Sequence, residues 1–202
     1  KWASGQIGFH LSAVNPLLER HFSALALPVG GRIFLPLCGK TRDIAWLLSQ
    51  GYRLAGAELS ATAVEELFAE LDVAPQISPA GACQRYSGEG IDIFVGDIFS
   101  LNSEILGQVD AIYDRAALVA LPEAMRQRYA AHLITLTATA PMLVLRYEYD
   151  QNLAEGPPFS VNEAELQKLY GSAYQLTTLE TLDVEGGLKG KYPARESVCL
   201  AK

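Results

Sequence analysis

The segment from Arg32 to Ser60, RIFLPLCGK-TRDIAWLLSQ-GYRLAGAELS, constrains the fold more than any other part of the chain. Ile33, Phe34 and Leu35 form a short continuous apolar run, as a strand buried on both faces requires. Pro36 has no N–H for a ladder and ends the run. Gly39 permits a backbone conformation that other residues avoid. Ile44, Ala45, Leu47 and Leu48 then recur at helical spacing, and Gly51 closes that helix from just past its C-terminus. A second apolar strand, Leu54 to Ala57, ends on Glu58. This pattern predicts a βαβ unit, in which loop N–H groups and a helix N-terminus converge at the strand carboxyl ends.

Glu58 lies 19 positions after Gly39, about where an acidic residue meets ribose hydroxyls in nucleotide-binding βαβ units. A carboxylate suits that task because it accepts from both hydroxyls of a diol. The same spacing also suits a plain βαβ unit with a solvated glutamate at a strand end. Three ligand classes compete for the loop. NAD(P) calls for G-x-G-x-x-G, whereas Leu37-Cys38-Gly39-Lys40 carries one glycine, which disfavours an NAD-dependent reductase. A phosphate-cradling P-loop shares the tail Gly39-Lys40-Thr41 but places Phe34 where its first glycine belongs. A nucleoside lacking phosphates needs fewer loop amides, and S-adenosylmethionine is such a ligand.

With 202 residues and 50% apolar composition the chain can bury one sizeable core, so a single domain over 1–202 is expected. The net charge of −7, from 16 basic and 23 acidic side chains, disfavours nucleic acid and anionic membranes as partners. Apolar runs such as Ala140 to Leu145 are far too short to span a bilayer, and no signal peptide is visible. The chain begins at Lys1 without Met, so native residues are expected to precede it. Cys38, Cys83 and Cys199 are odd in number and scattered, as in reduced thiols of a cytoplasmic protein, and no pair has metal-ligand spacing. Cys38 sits in the key loop, but the sequence places no histidine beside it to activate a nucleophile.

Along the rest of the chain, Trp2 to His10 is apolar and glycine-hinged, which suits a lid over a pocket or an arm packed on the domain. Asn15 caps a helix with Pro16 at its first position, and Leu17, Leu18, His21, Phe22 and Leu25 follow at helical spacing. Ser60 caps the next helix, which buries Val64, Leu67, Phe68 and Leu71. Ala74 to Gly81, with two prolines, reads as a loop, and Gln84–Tyr86 with Ile91–Val95 as a hairpin. Asp97 then either accepts from an adenine amino group or caps the next turn. Val109 to Asp114 is the fourth main strand, and Arg115 either faces the crevice or pairs with Asp114. Pro122 to Leu136 is a helix and Met142 to Tyr149 the fifth strand. Gly156-Pro157-Pro158-Phe159 forms a pocket wall or braces the helix Glu163 to Tyr170. Gln175–Leu182 and Ala194–Ala201 close the chain as two strands. A Rossmann dehydrogenase continues into a second domain, whereas a terminal strand pair is the mark of a small-molecule methyltransferase.

The sequence resembles the thiopurine S-methyltransferases, in particular the bacterial members. The likeness rests on Trp2 with GQIGFH, FLPLCGK (34–40), GAELS (56–60), YDRAALVALP (113–122), EYDQ (148–151) and GPPFSV (156–161). It implies an α/β class I methyltransferase fold, Rossmann-like, with a seven-stranded, mostly parallel sheet in the order 3-2-1-4-5-7-6, strand 7 antiparallel and helices on both faces. It implies that Trp2, Leu37, Glu58 and Arg115 line the S-adenosylmethionine site, with Asp97 and Ile98 flanking the adenine. Phe9, Arg115, Pro158 and Phe159 would face the acceptor, under residues 1–26 as a cover. The product would be S-adenosylhomocysteine, the protein a cytoplasmic monomer, and the acceptor a small aromatic or heterocyclic thiol, with selenium or tellurium species as further candidates. An aromatic thiol ionises near neutral pH, so no general base is assigned, and Arg115 is expected to favour an anionic acceptor. A non-catalytic S-adenosylmethionine- or nucleotide-binding module is the alternative from another class.

Overall fold

A computed structural model describes residues 13–202. Helix α1 (Pro16–His21) starts as expected: the Asn15 side chain accepts from the Leu17 N–H, and Pro16 occupies the first turn, where no N–H is missed. A 3-10 turn, Phe22–Leu25, continues it, and Phe22 packs edge-on against Trp46 and Tyr52 at ring separations of 5.7 and 4.8 Å. The βαβ unit follows as β1 (Arg32–Pro36), α2 (Arg42–Ser49) and β2 (Arg53–Glu58), with Thr41 capping α2 and Gly51 (φ +83°) turning the chain out of it. Helix α3 (Ala61–Glu70) is capped by Ser60. Next come β3 (Gln76–Ala80), β4 (Cys83–Gly88), β5 (Ile91–Val95), the short α4 (Ser103–Leu106) and β6 (Ala111–Asp114). The chain closes with α5 (Glu123–Leu136), β7 (Met142–Glu148), α6 (Glu163–Tyr170), β8 (Leu176–Asp183) and β9 (Arg195–Ala201).

The strands form one sheet in the order β3-β4-β5-β2-β1-β6-β7-β9-β8. From β5 to β7 all neighbours are parallel, and β9 inserts antiparallel between β7 and β8. This run of seven is the implied order 3-2-1-4-5-7-6. Among the described residues the sheet nonetheless has nine strands, because β3 and β4 extend it antiparallel beyond β5. The stretch 74–81, expected as a loop, therefore holds a strand. Its Pro79 is tolerated because β3 is an edge strand, where one side of the ladder needs no N–H.

Alternation along the strands builds a core on each face. Ile33, Leu35, Tyr113 and Leu145 pack with Leu18, Ile44, Leu47 and Val64, so α1–α3 cover one face. Phe34, Ile112 and Val144 pack with Leu106, Tyr129, Leu133 and Leu166, so α4–α6 cover the other. Among the described residues no helix is long and apolar enough to cross a membrane. The carboxyl ends of β1, β2, β5, β6 and β7 open on one edge, and every site residue expected within the described chain lies there.

Candidate active site

The loop leaving β1 is tied to the end of β2. Leu37 and Gly39 both take positive φ, +48° and +53°, a shape that costs a leucine and is free for a glycine. The Cys38 N–H donates to the Ala57 carbonyl at 3.0 Å and the Thr41 N–H to the Cys38 carbonyl at 3.4 Å. Gly39 N–H reaches Glu58 Oε2 and Ser60 N–H reaches Glu58 Oε1, each at 2.9 Å. Glu58 is thus buried and bonded rather than solvated. Each of its oxygens keeps a second lone pair, enough to accept from a diol.

The same bonds show which ligands fit. The amides of Cys38, Gly39 and Thr41 are spent inside the protein, and a carboxylate occupies the focus of the loop, so a pyrophosphate finds no cradle here. Lys40 is turned away to α3, where its Nζ meets Glu66 and Glu70 at 2.8 Å each, so the Gly39-Lys40-Thr41 sequence does not act as a P-loop. A nucleoside without phosphates needs no such cradle. Burial, followed by the charge of Glu58, pushes the Cys38 thiol well above its ordinary value. A thiol so buried is poorly suited to act as a nucleophile.

Arg115 does not pair with Asp114. Adjacent residues of an extended chain point to opposite faces, and Asp114 turns to the α5 side, accepting from Leu118 N–H at 3.1 Å and Tyr129 OH at 2.8 Å. Burial pushes its carboxyl up to about 6. The Arg115 Nη1 donates to Thr41 Oγ1 at 2.8 Å and to Asp43 Oδ2 at 3.1 Å, and its side chain is only 9% exposed. Asp43, in the first turn of α2, is fully buried. It also accepts from the Asn15 N–H at 2.8 Å and the Tyr113 hydroxyl at 3.0 Å. Burial opposes the charge on Arg115, but Asp43, Tyr113, Tyr147 and Glu196 outweigh it and hold the guanidinium above its ordinary value. Glu196 stands opposite Tyr147 in the β7–β9 register and accepts from Asn15 Nδ2 at 3.4 Å. Burial raises its carboxyl, against the Tyr147 hydrogen bond and the Arg115 charge. Asp43, Tyr147 and Glu196 were not singled out from the sequence. A lone Asp in a first helical turn reads as a dipole partner, and nothing in the tail strand marks its glutamate.

Asp97 is exposed and caps the turn Ile98–Ser100 by accepting from Phe99 N–H at 3.0 Å, the second of its two expected roles. Ile98 is buried, and its carbonyl meets His132 Nε2 at 2.8 Å. The loop bearing Pro158 and Phe159 is fixed against the turn that follows Arg115: Phe159 N–H donates to the Val119 carbonyl and Tyr149 OH to the Pro158 carbonyl, both at 2.6 Å. The Arg126 guanidinium lies 5.6 Å from the Phe159 ring centroid. Leu37, Glu58, Asp97, Ile98, Arg115, Pro158 and Phe159 are therefore gathered at one sheet edge. Trp2 and Phe9 lie outside the described residues.

The sequence matches the family described as thiopurine S-methyltransferase over residues 1–195. It is 56% identical over 201 residues to the thiopurine S-methyltransferase of Xanthobacter autotrophicus, covering 99% of this chain and 94% of that one. To the thiopurine S-methyltransferase of Gluconobacter oxydans it is 52% identical over 198 residues, covering 98% and 90%. In structure it is similar to the 1,6-didemethyltoxoflavin-N1-methyltransferase of Burkholderia thailandensis, solved with S-adenosylhomocysteine and 1,6-didemethyltoxoflavin bound. The TM-score is 0.66 at 17% identity, over 100% of this chain and 83% of that one, and at that identity the likeness is one of fold. These matches show that the chain belongs to the thiopurine S-methyltransferase family.

Proposed function

We propose that this chain transfers a methyl group from S-adenosylmethionine to the sulfur of small aromatic or heterocyclic thiols. The observation that carries the reading is Glu58: a buried carboxylate, fixed by two backbone amides, with acceptor positions left over at the end of a loop that has no phosphate cradle. When bound, S-adenosylmethionine supplies a methyl group already activated by a positively charged sulfur. Glu58 holds the ribose, while Trp2, Leu37, Asp97, Ile98 and Arg115 line the remainder of the nucleoside site. Phe9, Pro158 and Phe159 wall the acceptor side and exclude water. Arg115, clamped by Asp43 and Thr41, presents its guanidinium without rotamer freedom to lose, so alignment of the acceptor sulfur costs little entropy.

In this reading residues 1–202 act as one domain and residues 1–26 cover the site. The protein works as a cytoplasmic monomer on small molecules and not on nucleic acid, in keeping with its acidic balance. Selenium and tellurium nucleophiles are included as heavier analogues of the same sulfur chemistry. The test is an acceptor screen of purified protein with S-adenosylmethionine and a panel of thiophenols, heterocyclic thiols and selenols. Methylated product with equimolar S-adenosylhomocysteine is expected. Tight binding of S-adenosylhomocysteine with no turnover of any acceptor would instead make the chain a non-catalytic binding module.

A further inference from the structure

The positive charge of Arg115 is not available to an acceptor at full strength. Asp43 is fully buried, lies 3.1 Å from Nη1, and is fixed by the Asn15 N–H and the Tyr113 hydroxyl, so it cancels the guanidinium in place. The remaining ionisable carboxyl of this described cluster is Glu196, half-buried at the crevice edge, where β9 runs beside the carboxyl end of β7. With Glu196 protonated the cluster of Arg115, Asp43 and Glu196 is neutral, and with Glu196 ionised it carries one net negative charge.

We propose that Glu196 is a specificity-determining residue whose ionisation selects between neutral and anionic acceptors. The inference rests on the methyl-transfer reading above. Four titratable or charged groups face Glu196 among the described residues: Tyr147 from β7, Arg115 from the turn after β6, Tyr113 from β6 and Asp43 from α2. The Asn15 amide, from the residue preceding α1, adds a neutral donor, and Leu182 is the register partner from β8. Burial, aided by the charge of Asp43, outweighs the Tyr147 hydrogen bond, the Arg115 charge and the Asn15 bond, so the carboxyl takes up its proton above the ordinary value of 4.5. The sign follows directly. As pH rises through that titration the acceptor side gains negative charge, and an anionic acceptor loses ground to a neutral one. No proton need pass through Glu196 during the transfer; its charge acts through space.

The experiment compares kcat/KM for 4-mercaptobenzenesulfonate with that for 4-mercaptobenzenesulfonamide; both thiols ionise in the range used, and the first carries one further negative charge on its ring substituent at every pH, the second a neutral substituent. It is run from acid to neutral pH on the wild-type chain, Glu196→Gln and Tyr147→Phe. In the wild type the sulfonate-to-sulfonamide ratio falls with pH. In Glu196→Gln the fall disappears and the ratio at neutral pH rises roughly ten- to twenty-fold, the effect of one unit charge across about 10 Å at an effective dielectric near 20. Tyr147→Phe removes a bond that favours the ionised carboxyl, so its fall moves to higher pH, and this arm decides the matter should the glutamine variant not fold. Turnover of both acceptors with an unaltered ratio and profile in either folded variant overturns this inference alone. Failure of the wild type to methylate either thiol overturns the methyl-transfer reading, and this inference with it.

Discussion

Arg115→Met takes the cation out of a pair whose partner has no contact with water. Asp43 is 0% exposed and stands 3.1 Å from the Arg115 Nη1, so the variant leaves a buried carboxylate without its counter-charge. Removing one partner of a buried pair typically costs 3–5 kcal/mol. Asp43 retains the Asn15 N–H and the Tyr113 hydroxyl, which replace part of the lost solvation, so we expect about 2–4 kcal/mol. In a chain of this length each kcal/mol moves Tm by about 2–4 °C, so the melt should fall by roughly 5–15 °C. Arg115→Lys keeps the charge, but a shorter and more strongly hydrated ammonium must take the place of Nη1 against both Thr41 and Asp43, so it should lose about half as much. Combining Arg115→Met with Asp43→Asn removes the orphaned charge and should recover much of the stability but none of the activity. The assay is a set of thermal and denaturant melts on the three single variants and the double, with turnover of a thiophenol measured alongside. A melting change of less than about 1 °C for Arg115→Met, or additive losses in the double variant, would refute the buried pair.

Further outcomes follow from the same geometry. In calorimetry the wild-type chain should bind S-adenosylhomocysteine with 1:1 stoichiometry and neither NAD nor ATP, and Glu58→Gln should weaken that binding by about 1–3 kcal/mol; an unchanged affinity would leave Glu58 with only its loop-bracing role. Asp114 titrates near 6 in the folded chain against an ordinary 3.8, so folding is disfavoured by its charge above that range and relieved of it as pH falls from about 6 toward 4. Asp114→Asn, which mimics the neutral form, should therefore cost more stability at pH 4 than at pH 7, by about 2–3 kcal/mol in denaturant melts; equal costs at both pH values would contradict the assignment. Deleting residues 1–9 should lower affinity for cofactor and acceptor while circular dichroism retains the sheet, and loss of that signal would make the segment a structural strap.

The βαβ unit was legible because its determinants are local: a continuous apolar run, helical spacing and a closing glycine within 29 residues, 32 to 60. The caps at Asn15 and Ser60 were legible for the same reason, since a cap bonds within its own turn. β3 was not, because proline argues against a strand and only the sheet's edge position makes it harmless at Pro79. The partner of Arg115 was not legible, because neighbours in sequence on an extended chain lie back to back: Asp114 serves Tyr129, while Asp43, 72 residues away, serves Arg115. Glu58 was located by spacing, but its burial was not, because that depends on two amides brought in by the loop and the following turn. Glu196 and Tyr147 meet only through the β7–β9 register, a non-local pairing with no motif of its own.

Sulfur selectivity in a Glu58- and Arg115-lined crevice is tested most directly by one molecule that offers both nucleophiles. Purified chain is incubated with trideuteromethyl S-adenosylmethionine and 4-mercaptophenol, and the product is analysed by mass spectrometry and carbon NMR. A single trideuteromethyl group on sulfur, formed in equal amount with S-adenosylhomocysteine and abolished in the Arg115→Met, Asp43→Asn double variant, is the expected result. Methylation at the phenol oxygen, or undiminished methylation by the double variant, would contradict it.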